Sequence, residues 1–332
     1  MKSLAAALCH ALGWPALGLT GAARLGTRQR PWLLELVDIW SPYLLAAFPV
    51  LLGKAVLARS RGLALLASLG SGVWLSLVCR AYARGVTGDC HPDIRVLSGN
   101  VLGWNERPAG LVEIIRQHDP DVIALQELRH EFIAGLVEAI GKRYPYQAFE
   151  PHERFSGSGI LSRFPFELYE PLKLSEGGHI CQRARIRASD RLISLYSLHL
   201  QTPLEMKPRP GQVPNFWLLP RPENRRDQEI EKLLAMVSSV EEPLLVVGDF
   251  NAAAWTRPYR RLALCLRDSF VEAGRGFGHT WPQPGILRGL PLPALIRIDY
   301  IWYRGGLAPA NVRTVGLPGS DHRGLLADFT FT

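Results

Sequence analysis

No C-x-x-C pair occurs among the five cysteines, Cys9, Cys79, Cys90, Cys181 and Cys265, which are scattered and odd in number. That argues against a zinc knuckle, a thioredoxin-type site or a disulfide framework, and says little about compartment. No collagen-like period, heptad array or repeat of about 20–50 residues is present, so fibrous and solenoid architectures drop out. Charged residues make up only 20% of the 332 and hydrophobic residues 47%, which excludes a disordered chain and allows one large domain or two smaller ones. Acidic residues are nearly missing from the first 90 positions, which hold nine Lys and Arg against three Asp and Glu. The other 242 residues are close to balanced, with 29 basic and 27 acidic groups. The formal charge of +8 is therefore concentrated in the apolar N-terminal part, where it suits lipid headgroups better than a nucleic-acid backbone.

Residues 1–85 read as a membrane region with two or three transmembrane helices. The candidate spans are Leu4 to Ala23, Tyr43 to Ala58 and Leu63 to Cys79. A bilayer core needs roughly 20 helical residues, and about 17 suffice. The first run could also be a signal peptide, although no clear small-x-small cleavage site follows it. The second is short unless it extends back through Glu35 and Asp38, which are expected nearer an interface. Buried core helices would also be apolar, but three such runs with almost no acidic residues favour lipid. Basic residues flank every run: Lys2; Arg24, Arg28 and Arg30; Lys54, Arg59 and Arg61; Arg80 and Arg84. Three spans with Lys2 inside put the rest of the chain outside the cell membrane, at odds with Arg24–Arg30. Two spans would leave it in the cytoplasm. The expectation adopted is a multi-pass protein of a bacterial membrane with an external C-terminal domain.

From residue 91 to 332 the texture is that of a separate domain. Strand-like runs rich in Val, Ile, Leu and aromatics cover 94–101, 121–128, 192–200, 243–251, 296–304 and 324–331. Helical spacing appears over 109–117, 131–142 and 224–240. In the last, Ile230, Leu233, Leu234 and Val237 form one apolar stripe. Such interspersion predicts mixed sheets covered by helices.

The informative pattern is where polar residues interrupt these runs. Asn100 ends the first and Glu127 the second; His199 closes the third, and Asp249 and Asn251 end GDFN. Asp299 sits inside IRIDYIW, and Asp321 and His322 precede the last strand. Each alone has a plain structural explanation: a turn cap, a packed histidine, or an ion pair of Asp299 with Arg297 or Arg304. A carboxylate buried at a strand end is costly unless paired or metal-bound, so the ordered set N…QE…H…GDFN…DY…SDH points to a site.

That set resembles the endonuclease/exonuclease/phosphatase superfamily over about residues 93–332. The resemblance implies a four-layer α/β sandwich, two mixed β-sheets flanked by helices, preceded here by the N-terminal transmembrane helices. It implies cleavage of P–O bonds with Mg²⁺ or Mn²⁺. Asn100, Glu127 and Asp321 would be metal ligands, with Glu127 the principal one. Asp249 would orient or deprotonate the attacking water, and Asn251 would hold a phosphoryl oxygen. His322, paired with Asp321, would contact the phosphate or assist proton transfer. Asp299 would partner a histidine, with His199 the best candidate, and His199 would protonate the leaving oxygen. Many nucleases of the superfamily carry an aspartate two positions after the first asparagine. Leu102 stands there in this sequence, which favours one metal over two. Ser162-Arg163-Phe164-Pro165 matches a family stretch read as structural, and Thr280-Trp281 one read as shaping the rim.

The substrate class is less determined. The domain follows a membrane region, lacks a basic stripe, and has two apolar loops near site residues, at 213–220 and 284–296. The combination of spans and hydrolase domain is similar to teicoplanin-resistance, VanJ-like membrane proteins. This implies a lipid-linked phosphate, such as undecaprenyl pyrophosphate, as substrate and partner. A membrane-tethered nuclease, a phospholipid or sphingomyelin-type phosphodiesterase and an inactive membrane scaffold are the alternatives. Nucleic acid is thus a possible partner but not the favoured one.

Overall fold

The computed structural model describes residues 32–82, 91–152, 156–202, 204–205, 219–220, 225–283 and 293–332. The first expected span, and most of the two apolar loops, lie outside them. The chain divides into two compact units, Met1–Ala83 with Ala253–Arg260, and Arg84–Ala252 with Arg261–Thr332.

In the smaller unit three helices follow one another: α1 (Trp32–Leu45), α2 (Ala47–Leu57) and α3 (Arg61–Tyr82). Two stretches, Val37–Leu57 and Arg61–Cys79, are long and apolar enough to cross a bilayer. Leu45, Phe48, Ala55, Leu63 and Leu66 pack inward, and Phe48 reaches the axis of α3 because Gly70 presents no Cβ. Val50, Val56, Leu57, Leu65, Leu69 and Leu75 face outward and are exposed. Helices apolar on all sides suit a membrane or a large core rather than a water-facing surface. The span expected from Tyr43 starts earlier, at Val37, and takes in Asp38, which is buried. A buried carboxylate needs a counter-charge. Arg260 supplies it at 3.7 Å, and Trp255 Nε1 donates to Ile39 O at 2.9 Å.

The larger unit is built on two mixed six-stranded sheets. Its strands are β1 (Ile94–Asn100), β2 (Val122–Gln126), β3 (Tyr146–Glu150), β4 (Ser158–Ser162), β5 (Phe166–Lys173), β6 (Ile180–Ala188), β7 (Arg191–His199), β10 (Leu244–Asp249), β11 (Arg267–Asp268), β12 (Asp299–Arg304), β13 (Leu307–Gly316) and β14 (Arg323–Phe331). The short pair β8 (Leu204–Glu205) and β9 (Leu219–Pro220) stands apart. One sheet runs β13-β14-β1-β2-β4-β3, the other β11-β12-β10-β7-β6-β5. Ile94, Val96, Val122 and Ala124 of the first share a core with Ile193, Leu195, Leu245 and Val247 of the second. The opposite face of the first sheet, with Leu97, Ile123 and Leu125, is covered by α4 (Pro108–His118) and α5 (His130–Ile140). The stripe Ile230, Leu233 and Val237 is buried on α6 (Arg225–Ser238). The short helices α7 (Arg257–Leu262) and α8 (Ser269–Ala273) complete the set. Central strands are covered on both faces and so read as continuous apolar runs rather than alternating ones.

The strand expected over 296–304 begins only at Asp299. Before it, Ile296 bridges to Trp281, and Thr280 Oγ1 accepts from the amides of Ile298 and Asp299 at 3.1 and 3.3 Å. Arg163 of the S-R-F-P stretch binds Asp121 at 3.1 Å and also Asp119, tying β4 to the start of β2. We predict that Leu195→Ala, in the fully buried layer between the sheets, costs about 2–5 kcal/mol. A fall in the urea midpoint at unchanged m-value checks it.

Candidate active site

Both sheets have a parallel strand pair near the centre, β1 beside β2 and β7 beside β10. Parallel neighbours end on the same side. Asn100 therefore finishes opposite Gln126, one residue before Glu127, and Asp249 finishes opposite His199. The antiparallel strand β12 starts where β10 ends, which sets Asp299 opposite Asp249. The antiparallel β14 starts beside the end of β1, after the loop that carries Asp321 and His322. Topology thus brings the scattered polar residues to one rim, at the carboxyl ends of the central strands, where open sheets present ligand sites.

Local backbone features sharpen the placement. Gly248 has a φ of 129°, and a Cβ there would stand 2.0 Å from Leu198 O, so only glycine lets β10 run this close to β7. Glu127, Asn251 and Leu102 adopt left-handed backbone, with φ of 62°, 49° and 66°. Each costs about 1–2 kcal/mol outside glycine. Hydrogen bonds hold all three: Gly103 N donates to Glu127 Oε2 at 2.8 Å, Asn251 N to Asp249 Oδ1 at 2.9 Å, and Leu102 N to Asn100 Oδ1 at 2.9 Å.

The side chains meet around Asp249 Oδ2. Asn100 Nδ2 donates to it at 3.2 Å and to Glu127 Oε1 at 2.8 Å. His199 Nε2 lies 3.6 Å from Asp249 Oδ2 and 3.9 Å from Glu127 Oε1. His322 Nε2 lies 3.8 Å from Asp249 Oδ2 on another side. Asp299 pairs with His322, not with His199 as expected: His322 Nδ1 and Asp299 Oδ2 are 2.9 Å apart. The reason is register, since His199 and Asp299 stand on opposite sides of Asp249, on β7 and β12, while the loop before β14 reaches Asp299. Nor is Asp321 the main partner of His322; its Oδ1 stands 4.0 Å from Nε2, and its Oδ2 accepts from Trp281 Nε1 at 3.2 Å. Asn251 Nδ2 donates to Leu200 O at 2.9 Å, leaving its second N–H for other work.

Burial shapes the electrostatics. Desolvation raises the Glu127 carboxyl, against the hydrogen bonds from Asn100 and Gly103. It also raises Asp249, helped by nearby Asp299 and opposed by His322. Burial works against the His322 cation, but Asp299 and Asp249 outweigh it and hold that imidazole well above its ordinary range. Four carboxylates and two imidazoles thus share one rim, buried at Asp249, Asp299, His199 and His322 and partly open at Glu127 and Asp321. The buried atoms Asp299 Oδ1 and Asp321 Oδ1 have no hydrogen-bond partner among the described residues.

This donor set fits a divalent cation. The uncompensated acidic oxygens are hard ligands of the kind Mg²⁺ and Mn²⁺ prefer. Ligand atoms of Asp249, Asp299 and His322 lie within 4.8 Å of one another. Glu127 with Asn100 and Asp321 offers a second set, which leaves the 2.9 Å bond between His322 and Asp299 untouched. Leu102 offers no second carboxylate beside Asn100.

Two supporting groups escaped the sequence reading. Ser320 Oγ donates to Asn100 O at 2.7 Å and accepts from His322 N at 2.9 Å, coupling the two ends of the rim. Buried Arg226 donates from Nη1 to Asn251 O at 2.6 Å. A signal for it existed: Arg226 continues the Ile230–Leu233–Val237 stripe one turn toward the N-terminus, where a charged residue on a buried face needs a reason.

A family model described as Endonuclease/Exonuclease/phosphatase family matches residues 96–322, more than half of the chain. Nocturnin of Homo sapiens is 24% identical over 294 residues, spanning 74% of this chain and 67% of that protein. An endonuclease/exonuclease/phosphatase family protein from Leptotrichia buccalis C-1013-b superposes with a TM-score of 0.56 at 19% identity, covering 72% of this chain and 100% of its own. The human Nocturnin catalytic domain with bound sulfate anion gives 0.51 at 21% identity, covering 74% and 97%. At these identities the structural likeness speaks for the fold.

Two outcomes are expected. Asp249→Ala and His322→Ala each lower turnover of a phosphodiester at least about 100-fold while the protein stays folded, measured as kcat beside the circular dichroism spectrum. Mn²⁺ binds the folded chain and raises its melting temperature, an effect that Glu127→Ala removes, followed by electron paramagnetic resonance and thermal shift.

Proposed function

The chain belongs to the endonuclease/exonuclease/phosphatase family, and on that premise we propose that it is a membrane-anchored, metal-dependent hydrolase acting on a lipid-linked phosphate. Membership makes it a hydrolase of phosphoester bonds; the anchor, the cation and the lipid are our reading. The substrate class favoured is a polyprenyl pyrophosphate such as undecaprenyl pyrophosphate. The observation that carries the reading is one chain that has both this acidic, histidine-flanked rim and two apolar helical stretches with outward-facing Leu and Val.

The chemistry follows from the residues. Asp249, raised by burial, takes the proton of the attacking water at Oδ2 while Asn251 N fixes its other oxygen. The free N–H of the Asn251 amide holds a phosphoryl oxygen. His322, anchored through Nδ1 by Asp299, presents a cationic Nε2 to the charge that builds on phosphorus. His199 gives its Nε2 proton to the leaving oxygen as the P–O bond breaks. A bound Mg²⁺ or Mn²⁺, held by Glu127, Asn100 and Asp321, supplies further neutralisation of that charge.

Lys54, Arg59 and Arg61 lie on and beside the turn between the two apolar stretches. With that turn on the cytoplasmic side, the catalytic unit stands outside. The retained acid–base set disfavours an inactive scaffold. The test is turnover by the full chain in detergent with Mg²⁺ on undecaprenyl pyrophosphate, sphingomyelin, and single- and double-stranded DNA. Phosphate release from the polyprenyl substrate, abolished by chelator, is the expected result. DNA cleaved in preference would replace the lipid reading with a tethered nuclease.

A further inference from the structure

His199 does not stand alone at the rim. The ring of His179 lies flat against it, with centroids 3.8 Å apart and planes 8° from parallel. His179 is half-buried and precedes β6, the antiparallel neighbour of β7, in which Gln182 stands opposite Ser197. Beyond that pair the two strands run on to the two histidines.

The chain is built to hold this arrangement. Buried Glu229 on α6 accepts from Ser175 Oγ at 2.6 Å with one oxygen and from Gln201 N at 2.8 Å with the other. Ser175 is four residues before His179, and Gln201 is two after His199, so one carboxylate clamps both histidine-bearing segments. Gln201 Nε2 adds a bond back to Gly177 O at 3.5 Å. Gly178 is needed beside this clamp, because a Cβ there would stand 2.9 Å from Glu229 Oε1 and 2.6 Å from Ser175 Oγ. On the far side of His179, its carbonyl accepts the Cys181 thiol at 3.8 Å.

What His199 needs is a fixed ring plane. The χ2 torsion of histidine is a broad well, so the plane is not set by backbone placement alone. The separations of its Nε2 from Asp249 and Glu127, 3.6 and 3.9 Å, exceed hydrogen-bond length and do not by themselves define the plane. A flat neighbour 3.8 Å away on one face restricts that torsion directly. We infer that His179 is a positioning residue, whose ring holds the His199 imidazole in the plane from which Nε2 reaches the leaving oxygen. The inference rests on the reading of His199 as proton donor.

The test uses the full chain with saturating Mg²⁺ and the dinucleotide thymidylyl-thymidine, a phosphodiester whose alkoxide leaving group needs a proton. His179→Ala lowers kcat about tenfold with KM within about twofold, the signature of misplaced chemistry rather than lost binding. His179→Phe, which keeps a flat ring and lacks the ring nitrogens, returns kcat to within about threefold. In a His199→Ala background the His179→Ala step has no further effect, because the two act as one unit. Absence of rescue by Phe, an effect confined to KM, or an equal loss in both backgrounds overturns the positioning role. A second readout is independent of turnover. In chain labelled with ¹³Cε1-histidine, the His199 signal, identified by its loss in His199→Ala, moves on His179→Ala and returns toward its place on His179→Phe. A signal that stays put in His179→Ala removes the stack. Normal turnover by His199→Ala sinks the proton-donor reading and the positioning role with it, while the labelled signal still reports whether the rings touch.

Discussion

The carboxylates of Glu127, Asp249, Asp299 and Asp321 are crowded at one rim, and their mutual repulsion is the constraint the rest of the molecule answers to. Water screens like charges poorly at buried Asp249 and Asp299, so compensation there has to come from fixed groups. The His322 cation, the Asn100 amide and the backbone amides of Gly103 and Asn251 provide part of it. Left-handed backbone at Glu127 and Asn251 is tolerated because each such turn delivers an amide or a carboxylate to this cluster. The charge still uncompensated suits the rim to a cation.

The two-sheet architecture exists, in functional terms, to bring these charges together from far apart in the chain. Each sheet contributes a row: Asn100 and Glu127 from one, His199, Asp249 and Asp299 from the other. The apolar layer between the sheets holds the rows at a set distance, with residues such as Val96, Val122, Leu195 and Val247 bearing the packing. Behind the rows, Ser320, Arg226 and Glu229 tie strand ends, loops and α6 into one support. Such supporting bonds are what keep reactive groups in register to fractions of an ångström.

Much of this was legible in the sequence, for identifiable reasons. The central strands β1, β2, β7, β10 and β14 are covered on both faces, so their apolar runs stand out. The polar residues that interrupt those runs are the ones that reach the rim. The peripheral strands were harder to see. Strand β5 lies at an edge with half-exposed residues and Pro171, and β13 carries Pro309 at a register shift. Short β3 and β4 give too little pattern. The partner of Asp299 could not be read from spacing, because which of two histidines it meets depends on register across three strands. Arg226 and Glu229 look like ordinary charged residues on a helix until their face is known to be buried.

The assignment of Ala253–Arg260 to the helical unit carries a practical consequence. A soluble recombinant fragment that starts near residue 91 would look complete by alignment, yet it would strip Trp255 of the Ile39 carbonyl and Arg260 of the Asp38 carboxylate. Those eight positions begin two residues after Asn251. Expression of the isolated hydrolase would therefore leave the Trp255 indole and the Arg260 guanidinium without these partners, four and nine residues after Asn251.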